Sequence, residues 1–281
     1  YTRSAQGLCN SPASFQRLLD RIICGVSNCY VYIDDVVIAS SSHSEHLNDL
    51  RTVLARFRKY NIKCRLSKLQ VGAPKITYLG YDISHEKGIQ PGLLKTQVIR
   101  DWKPPSDVTQ VRQFLGLCSF FRRCIPNFAL TASPLTQLTR KDSPWKKGPL
   151  PAPALKSFET LRLALGARPC LAPVDLNREF ILTVDASQQG LGAILSQVNS
   201  HGVEHPCAYA SRVLSETEKK LAPFHMEHLA MVWGCKHFRP YLMGRHFTLR
   251  TDHKPLTTLN KVQGHAFDRL QADLAEFRPF T

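Results

Sequence analysis

Acidic residues are scarce in this chain. Its 281 residues carry 22 aspartates and glutamates against 37 lysines and arginines, a formal net charge of +15 with a pI near 9.6, so a polyanionic partner is the economical expectation. Long apolar runs are missing too. None approaches the roughly 18 residues needed to cross a bilayer, and the start of the chain lacks the charged, apolar and small-residue succession of a signal peptide, so no membrane partner is expected. There is no Cys-x-x-Cys spacing among the nine cysteines. The histidine pairs His43/His46, His201/His205 and His225/His228 therefore have no cysteine pair to complete a four-ligand zinc set. An odd cysteine count scattered over apolar positions such as Cys118 and Cys235 reads as reduced core thiols of an intracellular protein. A helix-turn-helix or zinc module is also missing, which excludes a stand-alone DNA-binding regulator. An initiating methionine is absent, and the chain is read as processed from a longer precursor or as a fragment of one. What is present is a hydrophobic fraction of 43%, the composition of a globular protein long enough for two or three domains.

The few acids stand where structure alone has little use for them. In Cys29-Tyr30-Val31-Tyr32-Ile33-Asp34-Asp35-Val36-Val37-Ile38-Ala39 two adjacent carboxylates interrupt a β-branched, apolar stretch whose flanks read as strands. The break must be a tight turn, yet neither glycine nor asparagine supplies the positive φ such turns prefer. Two aspartates at a hairpin tip can hold hard divalent cations, and a pair of ions about 3.5–4 Å apart is the clamp used for in-line phosphoryl displacement. Further on, Glu179 to Asp185 alternates as a strand, with Phe180, Leu182 and Val184 on one face and Ile181, Thr183 and Asp185 on the other. Gly190 turns the chain into Leu191–Leu195, and Pro206–Ala210 supplies a third short strand. Met226, Leu229, Ala230 and Trp233 share a helical face with Glu227 at its margin, in a helix marked off by Pro240 and Gly244. Phe247, Leu249 and Thr251 alternate along a last strand that ends in Asp252. If the strands ending in Asp185 and Asp252 are neighbours, about 4.8 Å apart, their carboxylates can converge with Glu227.

Three parts follow along the chain. Residues 1–90 hold the Asp-Asp hairpin, a helix opened by Ser11-Pro12 with Phe15, Leu18, Leu19 and Ile22 in phase, and a second helix carrying Leu47, Leu50, Val53, Leu54 and Phe57, for which His43 and Ser44 are candidate caps. The stretch Ile76–Ile83 reads as a strand pair around Leu79-Gly80. Residues 91–176 open at Pro91, pause at Trp102-Lys103-Pro104-Pro105, and continue after Ser106 as a helix with Val108, Val111, Leu115, Cys118 and Phe121 in phase. Arg112, Arg122 and Arg123 on this part are candidates for phosphate contacts, with a plain solvated basic face as the alternative. Lys141–Pro153 reads as an exposed connection. Residues 177–281 carry the acid-ended strands.

Tyr32-Ile33-Asp34-Asp35 resembles the Y-x-D-D motif of reverse transcriptases, and Gln6-Gly7-Leu8-Cys9-Asn10-Ser11-Pro12-Ala13-Ser14-Phe15-Gln16 is similar to the segment with which that family holds nucleotide and template. Phe114 to Phe128, followed by Ser133-Pro134-Leu135-Thr136, is similar to a run in gypsy-type LTR retrotransposon Pol proteins. The contexts Thr183-Val184-Asp185-Ala186-Ser187, His225-Met226-Glu227-His228-Leu229-Ala230 and Thr251-Asp252-His253-Lys254 match in order three acids of that group's ribonuclease H.

The resemblance covers essentially the whole chain. It implies an α/β (α+β) architecture: a partial polymerase palm over 1–90, a mainly helical thumb and linker over 91–176, and a C-terminally truncated, mixed-sheet ribonuclease H domain over 177–281. It further implies that Asp34 and Asp35 bind polymerase metals, that Gln6, Gly7, Tyr32, Leu79 and Gly80 contact nucleotide or primer, and that Asp185, Glu227 and Asp252 bind nuclease metals. The cofactor would be Mg²⁺ or Mn²⁺ in two-ion sites. Template-primer, RNA/DNA hybrid, dNTP and the remainder of the Pol polyprotein would be partners, in a cytoplasmic virus-like particle with later access to the nucleus. The family's first polymerase aspartate lies upstream of the Gln-Gly segment and its fourth nuclease acid beyond Thr281. The expectation is therefore no primer extension by this chain alone and weakened ribonuclease activity. Gln6 stands where many gypsy-type elements have phenylalanine. A non-catalytic, nucleic-acid-binding remnant is the alternative, and the intact acid trio argues against it.

Overall fold

The structure is a computed structural model that describes residues 7–252 and 272–277. The described chain forms two compact units, divided after Tyr78.

In the first unit, helix α1 (Ser11–Ile23) starts on Pro12 and buries Leu19 and Ile22. Strands β1 (Cys29–Tyr32) and β2 (Asp35–Ile38) form an antiparallel hairpin that pairs Tyr32 with Asp35. Helix α2 (His43–Lys59) follows, and β3 (Lys75–Tyr78) ends the unit. The cap of α2 is Ser42, one residue before the expected His43 and two before Ser44. Its hydroxyl accepts from the Glu45 amide at 3.2 Å while Glu45 accepts from the Ser41 amide at 3.0 Å, a reciprocal arrangement that satisfies amides a helix start leaves orphaned. Leu19, Ile22, Cys29, Val53 and Phe57 make the core of this unit.

The second unit begins with the hairpin β4 (Tyr81–Ser84) and β5 (Gly88–Pro91). Helices α3 (Leu93–Arg100), α4 (Val108–Phe120), α5 (Phe128–Leu138) and α6 (Ala152–Gly166) follow. Their core is Ile99, Val111, Phe114, Phe121, Leu135, Phe158 and their neighbours, with Tyr81 packed on it. The β4–β5 hairpin is joined to the helices by Tyr81, and to the segment after α6 by paired backbone bonds between Ile89 and Leu171 at 2.9 Å and by the ion pair of buried Asp82 with half-buried Arg168. Lys141–Pro153 is less exposed than expected. Trp145 and Leu150 pack on the helical core, and the Trp145 indole donates to the Pro149 carbonyl at 3.1 Å.

The remaining strands, β6 (Phe180–Ala186), β7 (Gly190–Val198), β8 (Glu204–Val213) and β9 (Phe247–Arg250), form a mixed sheet in the order β8-β7-β6-β9. Strand β8 is twice the expected length. Helix α7 (Pro223–His237) lies on the sheet. Phe180, Leu182 and Val184 are buried as the alternation requires, each contributing roughly 1.5–3 kcal/mol. The buried stripe of α7 is Met226, Ala230, Met231, Gly234 and Cys235, while the expected Leu229 and Trp233 are only half-buried. The closest approach is at Gly234, where an added Cβ would lie 2.8 Å from Val184 Cγ1.

Arg122 is exposed and Arg123 half-buried, yet both are engaged by backbone carbonyls. Their guanidinium groups donate to the carbonyls of Ser211 (2.9 Å) and Cys207 (3.4 Å) on β8, and Arg112 donates to the Thr139 carbonyl (3.1 Å). These cations fasten the helices to strand β8 and to one another. Of the nine cysteines, Cys29, Cys118, Cys124, Cys207 and Cys235 are buried as expected. Cys9, Cys24, Cys64 and Cys170 are exposed.

Candidate metal and nucleic-acid sites

Strands β6 and β9 are adjacent and parallel, in register from Phe180–Phe247 to Thr183–Arg250. Two residues beyond the last pair come Asp185 and Asp252, so both side chains leave the same face at the same end of the sheet. Helix α7 brings Glu227 over that end. Each of the three carboxylates offers an oxygen, and these oxygens lie within 4.8 Å of one another. This is the sole cluster of three or more potential metal ligands among the described residues.

The electrostatics of the cluster are set by burial. Glu227 is 8% exposed, whereas Asp185 and Asp252 are open to solvent. Desolvation, then the charges of Asp252 and Asp185, push its carboxyl up to about 7, against hydrogen bonds from the Ala186 amide and the Thr251 hydroxyl. Its Oε2 is buried with no hydrogen-bond partner. A buried acceptor left unpaired costs free energy, and a hard cation is the ligand that satisfies a carboxylate oxygen beside two others. The residues thus fit a divalent ion. Beside the cluster, His228 shares a hydrogen bond of 3.1 Å with Asp273, tying residues 272–277 to α7.

The Tyr32–Asp35 hairpin has a different character. Its loop is Ile33-Asp34, and Ile33 itself takes φ +54°, so a β-branched residue supplies the positive φ that such turns usually take from glycine or asparagine. Asp34 and Asp35 are exposed, and they border a cleft of about 410 Å³ lined also by Phe15, Leu50, Phe57 and Lys63. Tyr32 is exposed next to them. A residue to which no role of its own was given holds this loop. Gln16 on α1 accepts from the Ile33 amide at 2.6 Å and donates to the Val31 carbonyl at 3.2 Å. It closes the Gln-Gly…Phe-Gln motif, and that position was the one available signal.

Gly7 takes φ +88° in the turn before α1, and Gln6 lies outside the described residues. In the second unit Leu79 and Gly80 both have positive φ, +48° and +78°, as a tight turn between strands requires. A Cβ on Gly80 would meet Lys95 Nζ at 2.8 Å and the Phe120 ring at 3.0 Å, and Lys95 sits 4.0 Å over that ring. No helix among the described residues is long and apolar enough to cross a membrane.

Residues 1–83 match the model for reverse transcriptase (RNA-dependent DNA polymerase), and residues 175–279 match that for the RNase H-like domain found in reverse transcriptase. The chain is 35% identical over 282 residues to the retrovirus-related Pol polyprotein from transposon 297 of Drosophila melanogaster, with 99% of this chain and 26% of that protein aligned. It is 38% identical to the corresponding polyprotein from transposon opus of the same fly (92% and 26%), and 31% identical to the transposon Tf2-3 polyprotein of Schizosaccharomyces pombe (96% and 21%). The chain thus belongs to the reverse transcriptase and RNase H region of retrotransposon Pol polyproteins. It spans about a quarter of the length of these relatives. The whole chain also superposes on half of a foamy viral protease-reverse transcriptase in complex with double-stranded DNA, with a TM-score of 0.84 at 22% identity. On 38% of the same viral protein in complex with an RNA/DNA hybrid the TM-score is 0.80 at 23% identity. These likenesses establish the fold.

Proposed function

We propose that residues 175–279 hydrolyse the RNA strand of an RNA/DNA hybrid, with Asp185, Glu227 and Asp252 holding Mg²⁺ or Mn²⁺. The observation that carries this reading is the convergence of the three carboxylates within 4.8 Å around a buried, partner-free Glu227 oxygen. When bound, such ions lower the pKa of a water to make a nucleophile and stabilise the charge on the leaving 3′ oxygen. The chain's own part is to present hard oxygen ligands from rigid elements. Asp185 and Asp252 extend from two paired strands, and Glu227 comes from a helix locked onto them. The Ala186 amide and Thr251 hydroxyl orient the Glu227 carboxylate by binding it, and the packing of α7 keeps bulk water from it. The net charge of +15 suits a duplex polyanion.

The first unit contributes, in this reading, Asp34 and Asp35 as metal-binding carboxylates of an RNA-directed DNA polymerase. Its template-primer and dNTP would be engaged by Gln6, Gly7, Tyr32, Leu79 and Gly80 together with the rest of the Pol polyprotein. The nuclease reading is tested with the purified chain on a labelled hybrid in Mg²⁺ or Mn²⁺. RNA cleavage that Asp185→Asn abolishes, with far-UV circular dichroism unchanged, supports it. A chain that binds hybrid but never cleaves it is a non-catalytic binder, and the reading fails.

A further inference from the structure

The Ile33 conformation is unfavourable on its own terms. A β-branched residue at φ +54° is a genuine backbone outlier, and such positions persist only where the surroundings over-determine them. Here one side chain bonds the turn on both sides. The Gln16 amide receives the Ile33 N–H at 2.6 Å, donates to the Val31 carbonyl at 3.2 Å, and is itself anchored by Asp20 Oδ1 at 2.8 Å one helical turn away. Both strands of contact fall on the residues immediately around the loop that presents Asp34 and Asp35. A glutamine is suited to this because its side chain both accepts and donates, whereas glutamate cannot donate and leucine of similar size can do neither.

We propose that Gln16 is a positioning residue for the acid pair: it clamps the hairpin tip so that Ile33 stays left-handed and Asp34 and Asp35 are held where a cation can bridge them. This rests on the reading of Asp34 and Asp35 as metal ligands. Without the clamp the loop relaxes toward φ < 0 at Ile33, and the direction of the two carboxylates changes with it. Ile33→Gly supplies the discriminating variant, since glycine takes positive φ freely and so removes the need for a clamp.

The experiment uses the chain itself with ¹⁵N labelling. Exchange of the residue-33 amide reports the clamp, and broadening of the Asp34 and Asp35 amides by added Mn²⁺ reports the carboxylates. Gln16→Ala is expected to speed exchange at residue 33 by about five- to tenfold, the equivalent of one lost hydrogen bond, and to raise the Mn²⁺ concentration for half-broadening by a comparable factor. In Gln16→Ala/Ile33→Gly the half-broadening concentration should return to within about twofold of that of Ile33→Gly alone. If the double variant stays as impaired as Gln16→Ala, the glutamine serves only to dock α1, and the proposal falls. It also falls if exchange at residue 33 is unchanged in Gln16→Ala. Asp34→Asn separates the underlying reading from the proposal. If it leaves the Mn²⁺ broadening intact, the metal assignment of the pair is wrong and the clamp positions no ligand, while the exchange result still reports whether the clamp exists.

Discussion

Replacing Glu227 by glutamine should stabilise the metal-free protein, the reverse of what removing a buried, functional side chain normally does. The carboxylates of Asp185, Glu227 and Asp252 converge within 4.8 Å. At that separation and an effective dielectric near 20, each fully charged pair repels by roughly 3 kcal/mol. Burial is the larger cost, and burial and repulsion together push Glu227 to about 7 from its ordinary 4.5. That displacement also corresponds to roughly 3 kcal/mol. A folded-state pKa above the unfolded one means that the folded chain holds more protons between about pH 4.5 and 7. Stability contributed by the protonated carboxyl is therefore complete below pH 4.5 and lost as pH rises toward 7. Glu227→Gln keeps the shape and an acceptor for the Ala186 amide and Thr251 while removing the charge.

Thermal unfolding in EDTA followed by circular dichroism from pH 4 to 8 tests this. The wild type should lose about 1–3 kcal/mol across that window through this group, and the variant should not, so that at pH 8 the variant melts higher by a few degrees, given about 2–4 °C per kcal/mol for a unit of this size. Saturating Mg²⁺ should reverse the order. An ion at a hundredfold excess over its dissociation constant stabilises the wild type by about 2.7 kcal/mol, and a variant lacking one of three ligands gains little. Equal or lower stability of Glu227→Gln at pH 8 in EDTA, together with an unchanged pH slope, would refute the account of the cluster as mutually repelling and cation-seeking.

Two further substitutions probe what holds the second unit. Asp82→Ala leaves the Arg168 guanidinium without its buried partner, at a place where the same group also donates to the Pro91 carbonyl at 3.2 Å; a loss of about 3 kcal/mol is expected from urea unfolding, and a loss under about 1 kcal/mol would show the pair to be dispensable. Gly234→Leu overfills the crossing of α7 on β6, where even a Cβ would sit 2.8 Å from Val184 Cγ1. It should cost about 1–3 kcal/mol and blunt the Mg²⁺-dependent shift, because Glu227 rides two turns earlier on the same helix; a full metal response in this variant would show that the helix position does not matter.

What could be read from the sequence follows the physics of each signal. The alternation of Phe180, Leu182 and Val184 against Asp185 was legible because a strand with one buried face repeats every second residue. The convergence of Asp185 with Asp252 required knowing that β6 and β9 pair, which no local pattern encodes; the order of the three acid contexts supplied it through resemblance. The face of α7 was misplaced by part of a turn because hydrophobic phasing weights Leu229 and Trp233 by their size, whereas the tightest contact is made by Gly234, which has no side chain to count. The arginines at 112, 122 and 123 were legible as cations but not as ties, since backbone carbonyls such as those of Ser211 and Cys207 leave no trace in sequence. The turn at Ile33 was recognised by the absence of a suitable residue, and its resolution, a side chain seventeen positions away, was not.

The two acid groups are therefore held in place by unlike means, and this bears on how each responds to stress. Asp185, Glu227 and Asp252 oppose one another electrostatically, but the elements that carry them share a continuous core from Phe180 through Leu195 and Met231 to Phe247. Their geometry survives as long as that core does, because close-packed interiors yield little to local strain. Asp34 and Asp35 stand exposed, in and just after a two-residue loop whose outlier conformation is held by two hydrogen bonds to one glutamine. Single hydrogen bonds contribute about 1 kcal/mol net, no more than the strain they restrain. The hairpin tip is accordingly a nearly balanced element, while the acid trio is carried by rigid ones.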